Sequence, residues 1–168
     1  RRLAVLARPT GVALIVVDER AENLIAVAPG ANAAVSPEAV ETALADLAIG
    51  PADVVLVCRE IPPAAVAAAL AAAAVAGATG ILNPAPADGL DRPTADLAAV
   101  LTPNASELAA VAGPGDPEPA ARSLLAGGSP DRAVVVTLGA AGALVVPAAG
   151  PAIAVPAARV VPVDTVGA

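Results

Sequence analysis

The chain has 168 residues and a net charge of −7, and it contains no His, Lys, Gln, Met, Phe, Tyr or Trp, so Arg alone carries positive charge. That inventory excludes imidazole bases and triads, His metal sites, Schiff-base lysines and the P-loop lysine, and the acidic balance argues against nucleic acid and anionic membranes as partners. The length suits one domain, whose core must come from Ala, Val, Leu and Ile because 57% of residues are hydrophobic and none is aromatic.

Residues 10–17 are β-branched and apolar and predict a strand. A polar turn over 18–22 and a second apolar run over 23–27 complete a hairpin. Pro29-Gly30-Ala31-Asn32 is expected as a loop. Ser36-Pro37 then opens a helix, Ser as N-cap and Pro at the first helical position, running to Leu47 and closed by Gly50-Pro51. The run 54–58 predicts a short buried strand ending in Cys58. One cysteine cannot form an internal disulfide or a zinc site, so Cys58 is expected as a buried thiol.

An Ala-rich helix over 63–76 follows, stopped by Gly77. Its apolar stretch is shorter than the roughly 20 residues a membrane span needs. The opening Arg1-Arg2 and apolar 3–7 resemble a signal peptide, but Arg8-Pro9 ends that run too early. A soluble cytoplasmic chain is expected, and Arg1 is not expected to be a natural start. A strand over 80–83 runs into the turn Pro84-Ala85-Pro86, then come a helix over 94–99 and a short strand over 100–102. Helices over 105–112 and 118–126 precede strands over 133–138, 143–146, 152–155 and 160–163. Strands alternating with helices predict an α/β fold with a doubly wound parallel sheet, the N-terminal hairpin and the β-rich end standing apart from it.

In such sheets ligands bind beyond the carboxyl ends of the strands. Those ends carry Arg59 and Glu60, Asn83, Asn104 and Glu107, Thr137 with Gly139 and Gly142, and Asp164 with Gly167. Each has a plainer reading. Asn104 and Glu107 have the spacing of a capping box, Thr137 to Gly142 could be a tight turn, Glu60 an exposed carboxylate and Asp164 a helix cap. The loop is neither a Walker A motif nor a dinucleotide fingerprint.

Several segments occur together in one order: Thr10-Gly11-Val12-Ala13-Leu14-Ile15, Pro29-Gly30-Ala31-Asn32-Ala33-Ala34, Asn83-Pro84-Ala85-Pro86-Ala87, Thr102-Pro103-Asn104-Ala105-Ser106-Glu107-Leu108, Val136-Thr137-Leu138-Gly139-Ala140-Ala141-Gly142 and Val163-Asp164-Thr165. In this order the chain resembles the ribokinases of the PfkB-type carbohydrate kinase family over nearly its whole length. The resemblance implies a partial ribokinase-like domain over 1–168, with a lid hairpin at 10–27 and a nucleotide-binding α/β core at 36–168.

It also implies ATP-dependent phosphorylation of D-ribose at its 5-hydroxyl, with Mg²⁺ and K⁺ as cofactors. By similarity Glu60 contacts the sugar, Asn104 lies near the ATP phosphates and Glu107 holds the magnesium hydration shell. Thr137, Leu138, Gly139, Ala140, Ala141 and Gly142 form the nucleotide loop. Asp164 and the carbonyl of Val166 match the loop for a monovalent cation, and Gly167 and Ala168 the start of an anion hole. Family members are expected to dimerise through the lid.

In the family the Gly-Ala pair is followed by Gly-Asp, whose Asp takes the sugar proton, and a Gly-Gly sugar loop lies upstream. Neither is within these 168 residues, so the expectation is a fragment that is inactive and marginally stable by itself. The alternatives are another sugar or nucleoside kinase such as a fructokinase, a non-catalytic nucleotide-binding module, or a plain α/β domain with coincidental turns.

Overall fold

The structure, a computed structural model, describes residues 5–19 and 23–158. The apolar runs around the polar turn pair as an antiparallel ribbon, β1 (Val12–Val17) with β2 (Asn23–Ala28). It forms a sheet of its own. Thr10 and Gly11 lie before the first strand rather than in it. Leu14, Val16 and Leu24 share one face, while Ala13, Ile15, Ile25 and Val27 share the other. Two strands cannot bury both faces by themselves, and the large side chains of both remain exposed.

Helix α1 (Pro37–Asp46) starts as expected, with the Ser36 hydroxyl accepting from the Ala39 N–H at 3.2 Å. The remaining elements follow in order: β3 (Val54–Cys58), α2 (Pro63–Val75), β4 (Thr79–Asn83), α3 (Arg92–Leu97), β5 (Val100–Leu101), α4 (Ala105–Ala112), α5 (Pro117–Leu125), β6 (Ala133–Thr137), β7 (Ala143–Pro147) and β8 (Ile153–Val155). Helix α3 begins two residues earlier than the sequence reading placed it. Asp91 caps it by accepting from the Thr94 N–H at 2.8 Å. The strand expected over 160–163 lies outside the described residues.

The main sheet has the order β3-β4-β5-β6-β7-β8. Its first four strands are parallel and its last two antiparallel. The β-rich end therefore does not stand apart from the sheet; it continues it. The connection from β6 to β7 is only five residues long, which permits a hairpin and is too short for a parallel crossover.

Strand period two separates the faces. Val57, Leu82, Leu101, Val134, Val136 and Val146 point to one side and are buried with Val66, Leu70, Leu108 and Leu124 from the helices. The parallel strands advance in one direction, so right-handed crossovers bring α2 to α5 to one face. Along that face α2 packs on β3 and β4, and α5 on β6 and β7. Leu56, Ile81, Val100, Val135 and Val145 belong to the other face, where Leu56 is 70% exposed and Val54 59%. The second helical layer of a doubly wound sheet would cover that side. Cys58 is exposed rather than buried, because alternation from Val57 turns it to the open face.

Candidate active site

Beyond β3 the chain turns through Arg59 and Glu60 into α2, and this turn walls a cavity of about 660 Å³. Its other walls are the base of the hairpin at Thr10 to Ala13, the segment carrying Asn32, and Pro86 from the loop after β4. Asn32 sits in a 3₁₀ turn (Gly30–Ala34) where the sequence reading expected only a loop. That turn is fixed to the hairpin base by the Ala31 N–H, which donates to the Pro9 carbonyl at 2.9 Å. Glu60 and Asn32 are both exposed. Among the described residues no hydrogen bond or ion pair occupies the Glu60 carboxylate or the Asn32 amide. Two polar groups with spare hydrogen-bonding capacity in a mostly apolar cavity are what orients a small polar ligand. Sequence reasoning gave Asn32 no role, since a single Asn in a Gly-Ala loop has no chemical signature until the hairpin folds against it.

Three strands along, a second group assembles. Asn104 follows the end of β5 after two intervening residues and caps α4: its side-chain oxygen accepts from the Glu107 N–H, and a Glu107 carboxylate oxygen accepts from the Asn104 N–H, both at 2.8 Å. The plain capping-box reading is thus realised in full. It leaves the Asn104 amide N–H group and the second Glu107 oxygen without a partner among the described residues. A parallel bridge joins Asn104 to Thr137 at the end of β6, and the Thr137 N–H donates to the Pro103 carbonyl at 2.9 Å.

From Thr137 the chain turns through Gly139–Ala141 and closes when the Leu138 N–H donates to the Gly142 carbonyl at 2.8 Å. Gly142 has φ 92°, and a Cβ there would lie 2.0 Å from the Val155 carbonyl oxygen, so only Gly lets this loop lie against the end of β8.

The two groups sit at the same edge of the sheet. With strands about 4.8 Å apart, Glu60 beyond β3 and Thr137 at the end of β6 are separated by about 14 Å across it. Asn83 ends the strand between Glu60 and Asn104. Glu107 is one partly exposed carboxylate, and no cluster of three metal-ligating side chains exists among the described residues. A single carboxylate of this kind fits a hydrated Mg²⁺ carried by phosphates, which needs few protein ligands. Asp164, Val166, Gly167 and Ala168 lie outside the described residues.

The family model for pfkB carbohydrate kinases matches residues 3–168. The chain belongs to the pfkB carbohydrate kinase family. It is 36% identical to a ribokinase of Schizosaccharomyces pombe, an alignment that takes in 96% of this chain and 52% of that protein. A mouse ribokinase is 35% identical over 95% of this chain and 50% of its own. The crystal structure of a Thermotoga maritima ribokinase superposes with a TM-score of 0.77 at 30% identity, covering 92% of this chain and 50% of that one. The chain spans about half the length of these relatives. The α/β architecture and separate hairpin expected for the family are those observed. No helix among the described residues is long and apolar enough to cross a membrane.

Proposed function

We propose that this chain carries the ribose and nucleotide sites of a ribokinase, which transfers the γ-phosphoryl group of ATP to the 5-hydroxyl of D-ribose. The observation that carries the reading is the pairing along one sheet edge of a small cavity holding Glu60 with a Gly-rich loop beside the capped start of α4. Glu60 accepts hydrogen bonds from sugar hydroxyls, and the Asn32 amide, which both donates and accepts, contacts a second hydroxyl. The backbone from Thr137 to Gly142 lies along the nucleotide, with the Asn104 amide near its phosphates. A bound Mg²⁺ would supply charge neutralisation at the phosphates, and the free oxygen of Glu107 would orient its hydration water.

Such a site holds two reactants in fixed relation, which is the larger part of what phosphoryl transfer asks of a protein. Asp164 and the Val166 carbonyl as a K⁺ site, and Gly167 and Ala168 as the anion hole, complete the proposal. The division into a lid over 10–27 and a nucleotide-binding core from 36 onward belongs to it, as does a cytoplasmic location.

The lid reading has a geometric basis. Ala13 and Val27 form a cross-strand pair that lines the cavity. The opposite face presents Leu14, Val16 and Leu24, exposed at 67%, 64% and 73%, and a second copy of the chain would cover it.

Titration of ribose into the full chain tests the sugar site. Glu60→Gln is expected to weaken ribose binding at least about ten-fold, the usual worth of a charge-assisted hydrogen bond, and Asn32→Ala to weaken it less. MgATP binding should be unchanged in both. Ribose affinity equal to the parent's in Glu60→Gln would remove Glu60 from the site.

A further inference from the structure

Resting on the sugar reading above, we infer that Arg59 is a positioning residue for the ribose pocket: it clamps the loop after β4 to the end of β3, so that the wall at Pro86 stays opposite Glu60. The ladder between β3 and β4 ends at Cys58 and Asn83. Beyond it the two chains leave as loops, with no regular pairing to hold them together. Arg59 extends the pairing twice over. Its backbone N–H donates to the Ala85 carbonyl at 2.9 Å. Its guanidinium Nη1 donates to the Pro86 carbonyl and, at 3.0 Å, to the Asp88 carbonyl.

Apart from the buried ring of Pro84 at its start and the packing of Leu90 on the core at its end, the loop it holds has little else to fix it. Pro84 and Pro86 have no N–H to donate, and a bond from the Leu90 N–H to the Ala87 carbonyl at 3.2 Å lies within the segment itself. Arg59, Glu60 and Pro86 line the same cavity. Release of the loop would therefore widen the pocket next to its carboxylate without touching the nucleotide loop three strands away. Both side-chain bonds leave the one terminal nitrogen Nη1, whose two N–H groups are fixed in the guanidinium plane and serve two carbonyls at once.

The full chain, with ribose and MgATP as the probes, tests this. Arg59→Met is expected to weaken ribose binding about ten-fold, from the loss of two hydrogen bonds to a charged donor, and to speed amide hydrogen exchange across residues 84–91. MgATP affinity should stay at the parent value. Arg59→Lys should recover part of the ribose affinity. Loss of ribose and MgATP binding together would mark a merely structural role and overturn the inference, and so would unchanged ribose affinity or unchanged exchange in Arg59→Met. A parent chain that binds no ribose would overturn the sugar reading, and this inference with it. A parent that binds ribose as well as Arg59→Met does would overturn this inference alone.

Discussion

Gly142→Ala is expected to destabilise the chain by about 3 kcal/mol or more and to abolish MgATP binding, although it adds a single methyl group. Two effects combine there. The φ of 92° lies where a residue with a Cβ is strained, at a cost of roughly 1–3 kcal/mol. The new Cβ would also fall 2.0 Å from the Val155 carbonyl oxygen and 2.6 Å from the Ala157 nitrogen, both backbone atoms with no rotamer to yield. Relief requires β8 to leave β7 or the loop to open, and either moves the turn that closes on the Gly142 carbonyl. Gly139→Ala is the matched control: its φ is 56°, but its Cβ would meet nothing within 4 Å. It should cost only about 1–2 kcal/mol, the usual penalty of the left-handed region. Equal thermal shifts for the two variants would contradict the packing account.

Arg132→Met is the second large effect, expected at about 2–4 kcal/mol of lost stability with the fold retained. Arg132 is 5% exposed in a chain with few cations. Its Nε and Nη2 donate to the carbonyls of Ala98 and Ala95 at 3.0 and 2.9 Å, at the end of α3, and its Nη1 pairs with Asp96 at 2.8 Å. Met fills the space but leaves the Ala98 carbonyl without a donor, worth roughly 1–3 kcal/mol when buried, breaks the pair with Asp96, and leaves the Ala95 carbonyl only the Ala98 N–H at 3.2 Å. Asp96 itself is partly exposed and keeps Arg92, which contacts its two oxygens at 2.8 and 2.9 Å.

Burial pushes the Asp96 carboxyl up, but hydrogen bonds from Arg92 and Arg132 outweigh it and hold the group below its ordinary value of 3.8. A depressed carboxylate adds stability above its unfolded pKa and loses it as pH falls through the folded one. Parent stability should therefore drop as pH goes below about 3.8, and Arg132→Met should show a shallower acid limb. Denaturant melts at neutral pH and in that acid window measure both. A neutral-pH loss under about 1 kcal/mol would contradict the buried-carbonyl argument.

Most of the fold was legible because its signals are local. Ser36-Pro37 capped a helix where expected, and the runs at 54–58 and 105–112 became elements with those bounds. What failed was long-range. Nothing within residues 143–155 says that they pair back onto β6, which is decided by the shortness of the loop before them. The side to which Cys58 turns depends on which face of the sheet receives helices, a property of crossover order rather than of the run 54–58.

The site divides in the same way. Glu60, Asn104, Glu107 and the loop from Thr137 to Gly142 were visible as polar and Gly residues at strand ends, and the fold brings them to one sheet edge. Asn32, Pro86 and the clamp by Arg59 were not, because each depends on two segments meeting.

Calorimetric titration of MgATP into the intact chain checks the nucleotide site proposed at the loop after β6 and the start of α4. Saturable binding is expected of the parent, and binding at least about ten-fold weaker of Gly139→Asp, which sets a negative charge in open space on the proposed nucleotide loop. Absence of binding by the parent, or equal affinity in Gly139→Asp, would contradict that proposal.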